Sequence, residues 1–398
     1  MTAPHTNEPP VLQPASCTGD DILIVDDTPA NLRLLSQMLG QRGHRVRAVT
    51  SGPRALASVQ MALPNLILLD IKMPEMDGYE VCERLKADAQ TRDVPVIFIS
   101  ALDELQDKVR AFAMGGVDYI TKPFQVEEVV ARVETHLTLR RLQERLESAN
   151  QKMARELALA GQVQASFLPG KLPSVPGWDL AVTLKPARET SGDFYDVQLM
   201  PDGKLRLLVA DVVDKGVGAA LYMAMSWALI RAYTAEYPAQ PELVMEAVNR
   251  RILTDTSGDQ FLSAFYGVVA PGTGNLIYSN AGHYPPYILE RGNGRATRSL
   301  PRTGMLLGIA PEEKWSQGSV QLAAGDVLVL YTDGILDAEN AGGEFFGRER
   351  LLSTLRANLD RPAQEIQEAL LQAVADFAQG AVQSDDIALV IAVREIGI

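Results

Sequence analysis

The 398-residue sequence predicts three architectures in succession. They are an α/β doubly wound five-stranded parallel sheet, a long coiled-coil-like helix, and an α+β sandwich of two β-sheets flanked by helices. Three patterns carry the prediction. Short apolar runs alternate with amphipathic stretches over 20–125, as in a parallel sheet covered on both faces. Apolar residues then recur every three or four positions over 126–168, with no proline. From 169 onward, many strand candidates are separated by turns and a few helices.

Composition narrows the class. A formal charge of −13 argues against nucleic acid as a main partner. No run of 18 apolar residues is present, so no membrane span is expected. The N-terminus lacks a basic stretch followed by an apolar one, so no secretory signal is expected. Cys17 and Cys82 have no metal-ligand neighbours and exclude a disulfide framework. These features together predict a cytoplasmic protein.

Residues 1–19 contain Pro4, Pro9, Pro10 and Pro14 and read as a disordered tail. Over 20–125, strands are predicted at 22–25, 45–49, 66–69, 96–99 and 117–120, with helices between them such as 31–39 and 79–86. Sites in such sheets lie at the C-terminal ends of strands. Those ends carry Asp26, Asp27, Asp70, Ser100 and Lys122. Asp26 and Asp27 can hold a hard divalent cation together with Asp70. The cation and the Lys122 ammonium would offset charge as Asp70 attacks a phosphoryl donor, and Ser100 can donate to the attached phosphoryl group.

The stretches Ile-Leu-Ile-Val-Asp-Asp (22–27), Leu-Leu-Asp-Ile-Lys-Met-Pro-Glu-Met-Asp-Gly (68–78), Phe-Ile-Ser-Ala (98–101) and Tyr-Ile-Thr-Lys-Pro-Phe (119–124) resemble the receiver domain of two-component response regulators. The resemblance implies Asp70 as phosphoacceptor and Mg²⁺ held by Asp26, Asp27, Asp70 and the Lys72 carbonyl. It also implies a switch set of Ser100, Tyr119 and Lys122, and a cis peptide at Lys122–Pro123. A sensor histidine kinase or phosphotransfer protein is the implied partner.

Over 126–168, Val126, Val130, Val133 and Leu137 begin a narrow seam that Leu142, Leu146, Ala149, Met153, Leu157, Ala160 and Val163 continue. Breaks in heptad phase fall near Leu139 and over 149–157. The seam predicts a helical linker forming a homodimer, with packing on the chain's own domains as the alternative. Pro169, Gly170, Pro173, Pro176 and Gly177 then make a stiff entry loop.

The output region, 169–398, has strand candidates at 180–184, 194–199, 205–210, 261–270, 275–280, 287–289, 319–322, 327–332 and 387–393. Helices are expected at 219–233, 241–254, 348–355 and 363–377. Acids sit at the strand ends or starts: Asp193, Asp211, Asp333, and Asp385 with Asp386. Each alone reads as a turn residue. Together, with no His or Cys nearby, they suit Mg²⁺ or Mn²⁺ rather than Zn²⁺. Two such ions can lower the pKa of a shared water and aim it at phosphorus.

This half resembles the PPM-type serine/threonine phosphatases, in the bacterial branch that controls sporulation and stress sigma factors. The marks are Gln-Val-Gln-Ala-Ser-Phe-Leu-Pro (162–169), Pro-Ala-Arg-Glu-Thr-Ser-Gly-Asp-Phe-Tyr-Asp (186–196), Ala-Asp-Val-Val-Asp-Lys-Gly (210–216), Asn-Ala-Gly-His-Tyr-Pro (280–285), Leu-Tyr-Thr-Asp-Gly (330–334) and Ser-Asp-Asp-Ile (384–387). The resemblance implies that Asp211 bridges two Mn²⁺ or Mg²⁺ ions and that Asp193 completes one. Asp333 and Asp385 would hold the other, with the Val212 carbonyl as a further ligand. Asp386 competes with Asp385 for that role. Arg188 would grip the substrate phosphoryl group. Many relatives read Ser-Gly where this chain has Val213-Asp214, so Asp214 either binds a further ion or caps the turn. His283 is a candidate proton donor to the leaving group.

The combined expectation is a response regulator in which phosphorylation at Asp70 controls a metal-dependent phosphoserine/phosphothreonine phosphatase. The resemblance suggests a phosphorylated anti-sigma-factor antagonist as its substrate. The rival is a protein-binding adaptor or scaffold, for example one holding a sigma factor, with a non-catalytic or bifunctional phosphatase-like domain.

Overall fold

The computed structural model describes residues 19–101, 105–256, 260–291 and 297–396. The tail expected over 1–19 therefore lies, except for Gly19, outside the described residues. The chain divides into two compact units, Met1–Gln151 and Lys152–Ile398.

In the first unit, strands and helices alternate: β1 (Asp21–Val25), α1 (Pro29–Gln41), β2 (Arg45–Val49), α2 (Gly52–Met61), β3 (Leu66–Asp70), α3 (Gly78–Ala87), β4 (Val96–Ser100), α4 (Leu105–Ala113) and β5 (Asp118–Thr121). The strands form a parallel sheet in the order β2-β1-β3-β4-β5. β3 and β4 are buried along their whole length, as central strands covered on both faces must be. Successive residues feed opposite faces. Leu23, Ile67 and Phe98 join one apolar cluster, and Ile22, Leu68 and Ile99 join the other. Pro29 opens α1, and Asp77 caps α3 by accepting the Glu80 N–H at 2.8 Å.

The long helix α5 runs Val126–Ala165. Within the first unit, its Val129, Val133 and Leu137 lie in the same core as Ile22, Ile97 and Ile120. The opening turns of the segment 126–168 thus cover a sheet face. A three-four apolar spacing serves any helix with one buried stripe, so spacing alone did not separate this role from a coiled-coil seam. Further along, Leu142, Leu146, Met153 and Leu159 are between 56% and 61% exposed.

The second unit contains β6 (Trp178–Lys185), β7 (Phe194–Leu199), β8 (Leu205–Val212), α6 (Val217–Glu236), α7 (Pro241–Asp255), β9 (Leu262–Ala270), β10 (Asn275–Ala281), β11 (Tyr287–Leu289), β12 (Thr297–Ser299), β13 (Gly318–Gln321), β14 (Val327–Tyr331), α8 (Asp333–Leu336), α9 (Gly347–Asn358), α10 (Ala363–Ala378) and β15 (Ile387–Arg394). Two antiparallel sheets result, ordered β13-β10-β9-β8-β7 and β12-β11-β14-β15-β6. Leu207, Phe265, Leu328 and Val390 share the core between them. Helices α6 and α7 cover the outer face of the first sheet through Met223 and Val248, and α9 and α10 cover the second through Leu355 and Leu370. The architecture is four layers, helix–sheet–sheet–helix. The short β12 and α8 have no separate signal in the sequence.

One ion-pair cluster interrupts the apolar packing. Asp196 on β7 is fully buried and pairs with Arg206 on β8 and with Arg231 Nε on α6, the latter at 2.8 Å. Among the described residues, no helix is long and apolar enough to cross a membrane.

Candidate functional site

Each unit collects acids where strands end. In the first unit, β1 runs straight into Asp26 and Asp27, and β3 ends on Asp70. Ligand-type oxygens of these three acids all lie within 4.8 Å of one another. Asp26 is fully buried; its Oδ1 accepts the Thr28 N–H at 2.8 Å and its Oδ2 accepts Asn31 Nδ2 at 2.9 Å. Lys122 Nζ donates to Asp26 Oδ2 at 2.9 Å and to Asp70 Oδ2 at 2.8 Å. Burial raises the Asp70 pKa above the usual carboxylate value, against the pull of Lys122. Burial works against the Lys122 charge too, but its bonds to Asp70 and Asp26 prevail and raise its pKa. Ser100 is buried at the end of β4, and the Lys122–Pro123 peptide is cis. Tyr119 on β5 meets Phe112 edge-on at 6.1 Å and lies under the Arg132 guanidinium at 5.7 Å. A depression of about 470 Å³ beside these acids is lined by Asp27, Lys72, Met73, Asp77, Tyr79 and Arg110.

In the second unit the acids come from four separate stretches of chain and feel one another's charge. Asp193 precedes β7 and is 2% exposed, with Oδ2 buried and lacking any hydrogen-bond partner. Burial, then the charge of Asp211, push its pKa well up, and burial raises Asp211 as well. A carboxylate pair so placed holds one proton between its members unless a cation replaces it. Asp333 opens α8, and burial followed by the charges of Asp211 and Asp385 raises its pKa to about 7. Asp385 accepts Lys215 Nζ on Oδ2 at 2.9 Å. The backbone permits this gathering at two glycines. A Cβ on Gly334 would run into the Asp386 carbonyl oxygen, and Gly216, with φ of 87°, turns the chain from the acid loop into α6.

Residues 201–395 match the family described as Stage II sporulation protein E (SpoIIE), and residues 22–134 match the response regulator receiver domain. The chain carries a receiver domain followed by a SpoIIE-family domain. Protein IcfG of Synechocystis sp. is 34% identical over 60% of this chain and 41% of its own length. The phosphoserine phosphatase RsbU of Bacillus subtilis is 27% identical over 66% of this chain and 75% of its own. The SiaA-PP2C domain of Pseudomonas aeruginosa matches with a TM-score of 0.55 at 23% identity, covering 62% of this chain and 99% of that domain, which shows the shared fold. The chain spans less than half the length of the first curated relatives it matches.

In the SpoIIE-family domain, several candidates from the sequence have distinct surroundings. Both Asp386 oxygens are in use: Oδ1 accepts the Ala187 N–H at 2.7 Å and Oδ2 the Gly192 N–H at 2.8 Å. Asp386 thereby ties the Arg188 loop to the loop before β15, whereas Asp385 accepts the Asp386 N–H on Oδ1 at 2.9 Å and Lys215 Nζ on Oδ2 at 2.9 Å. Asp214, at φ of 90°, accepts the Lys215 N–H at 2.8 Å and shapes the turn. Arg188 is exposed on the loop that Asp386 holds. The Val212 carbonyl oxygen faces the Gly192 backbone closely. His283 does not serve the proton-donor role considered for it. The ring is buried, Nε2 donates to the Tyr331 carbonyl at 3.1 Å and Nδ1 accepts Ser263 Oγ at 2.6 Å, so neither nitrogen faces a leaving group. Burial lowers its pKa to about 4, which keeps the ring neutral.

Three participants escaped the sequence reading. Lys215 sits inside the quoted acid motif, but its reach to Asp385 is a tertiary contact. Gln164, buried in the last turn of α5, accepts the Ser191 N–H at 2.9 Å and donates to the Ser191 carbonyl, two residues before Asp193. Asp337 adds a further acid near Asp333.

Proposed function

We propose that this chain is a response regulator in which phosphorylation of Asp70 controls a divalent-metal-dependent phosphatase acting on phosphoserine or phosphothreonine in a protein. The observation that carries the reading is Asp193: a buried carboxylate with an unpartnered oxygen, beside Asp211, in a set of all-oxygen donors suited to Mg²⁺ or Mn²⁺. Asp193, Asp211, Asp333 and Asp385, with the Val212 carbonyl, would hold two such ions. Once bound, the ions would supply an activated water and offset charge on the phosphoryl group. Arg188 binds and orients that group from the rim. Asp386 positions Arg188 by holding the loop on both sides of it.

In the receiver, Asp70 accepts the phosphoryl group from a histidine kinase or phosphotransfer protein, and Asp26, Asp27, Asp70 and the Lys72 carbonyl would hold a Mg²⁺ that offsets its charge. Lys122, already 2.8 Å from Asp70 Oδ2, bonds a phosphoryl oxygen, and Ser100 and Tyr119 respond to it. The exposed apolar residues of α5, Leu142, Leu146 and Met153, support a homodimer through that helix. The likeness to RsbU supports a phosphorylated protein substrate, for which an anti-sigma-factor antagonist is the proposed type. A cytoplasmic location fits these roles. The retained acid set favours catalysis over a purely adaptor role.

The test is Mn²⁺-dependent release of phosphate from phosphoserine proteins, with and without beryllofluoride on Asp70. Turnover that changes with beryllofluoride supports the reading; an inert protein under all metal conditions defeats it.

A further inference from the structure

Lys215 pairs with one acid of the second unit's set. Its Nζ lies 2.9 Å from Asp385 Oδ2 and donates to the Ser384 carbonyl at 2.6 Å. Its own N–H is held by Asp214 Oδ1 at 2.8 Å. The turn is therefore fixed in a shape that presents the lysine to the loop before β15. A carboxylate and a carbonyl oxygen converging on one positive charge are the donors a hard divalent ion also uses.

We propose that Lys215 is a built-in counter-ion that competes with the divalent ion for Asp385, so that the Asp333–Asp385 side of the site fills after, and more weakly than, the Asp193–Asp211 side. This rests on the metal-ion reading given above. The asymmetry is in the contacts. At Asp193, Oδ2 has no hydrogen-bond partner, so an arriving ion displaces no side-chain ammonium from it, only the proton shared with Asp211. At Asp385 the ammonium sits on Oδ2 and the Asp386 N–H on Oδ1, so an arriving ion meets a carboxylate already engaged on both oxygens. A second cation beside the ammonium is repelled at short range, which weakens its binding there. The lysine stem is flexible and more than a third of the side chain is exposed, which gives the ammonium a route into water. The same exposure makes the pair weak, so the competition is worth several-fold rather than many orders of magnitude.

The experiment is calorimetric titration of Mn²⁺ into the EDTA-stripped full chain. Wild type, Lys215→Met, Lys215→Gln and Lys215→Arg are compared, all carrying Asp27→Asn to weaken the receiver's ion site. Wild type is expected to show two binding events of unequal affinity. Lys215→Met and Lys215→Gln should tighten the weaker event about fivefold and leave the tighter one within about twofold, while Lys215→Arg keeps the unequal pattern. A weaker event that stays unchanged or loosens in both neutral variants overturns the proposal while leaving the two-ion reading intact. Absence of binding heat in every variant overturns the two-ion reading itself, and the proposal with it.

Discussion

Both units set a lysine against carboxylates at strand ends, but the two lysines meet their acids differently. Lys122 bonds two acids at once, one of them fully buried, among three whose oxygens converge within 4.8 Å. Lys215 bonds one acid, Asp385, and more than a third of its side chain is exposed. On the proposed function, the first lysine belongs to the phosphoryl-accepting set, whereas the second competes with an ion. Similar residue types in the two units are thus held to different degrees, by two buried partners in one and by a half-exposed pair in the other.

Breaking each centre separately gives the largest effects. Asp211→Asn should lower phosphatase turnover by at least about a thousandfold, since it removes the acid proposed to serve both ions. Mg²⁺ binding to the receiver, followed by fluorescence or calorimetry, should persist. Asp70→Asn should do the converse, abolishing phosphoryl uptake from acetyl phosphate while Mn²⁺ still binds the second unit. The next effect is structural. Asp196→Ala leaves the fully buried side of Arg206 without its partner and should cost about 3–5 kcal/mol in the second unit. The first unit's melting transition, seen by calorimetry, should stay in place.

His283 offers a smaller, pH-dependent contrast. Its folded pKa of about 4 lies below the ordinary 6.5. Below pH 6.5 the unfolded chain takes up a proton that the folded ring refuses. Stability from this group is therefore complete above about pH 6.5 and falls as the pH drops towards 4, by on the order of 3 kcal/mol. His283→Asn should flatten that part of the stability–pH curve measured by urea unfolding. Smallest of all, Arg188→Ala should raise KM for a phosphopeptide about tenfold, because an exposed rim contact contributes about one charge-assisted hydrogen bond. A wild-type KM would remove Arg188 from phosphate binding.

Much of this was legible in the chain. The alternation that predicts a five-stranded parallel sheet is local, and the strands form in that order of type. The acids Asp26, Asp70, Asp193, Asp211 and Asp333 stand next to their apolar strands, so their placement at strand ends follows from short-range pattern. What pattern could not supply was partnership across the fold. Nothing near Asp386 in sequence shows that Ala187 and Gly192 take both its oxygens, 199 and 194 residues away. His283 looked available because its burial depends on β9 and β14, not on its neighbours. The seam beginning at Val126 was readable as a seam, but whether it faces a sheet or another helix is decided by what it meets.

The staple made by Asp386 has a consequence for biosynthesis. β15 lies between β14 and β6, and the residue just before it holds together the loop that carries Arg188. A growing chain that has already made Asp193, Asp211 and Asp333 still lacks the strand that joins its second sheet and the acid that sets that loop. The candidate site can therefore assemble only after β15 has been made. Chains stopped before Asp386 should be inert and readily cut in limited proteolysis, while their receiver still accepts a phosphoryl group.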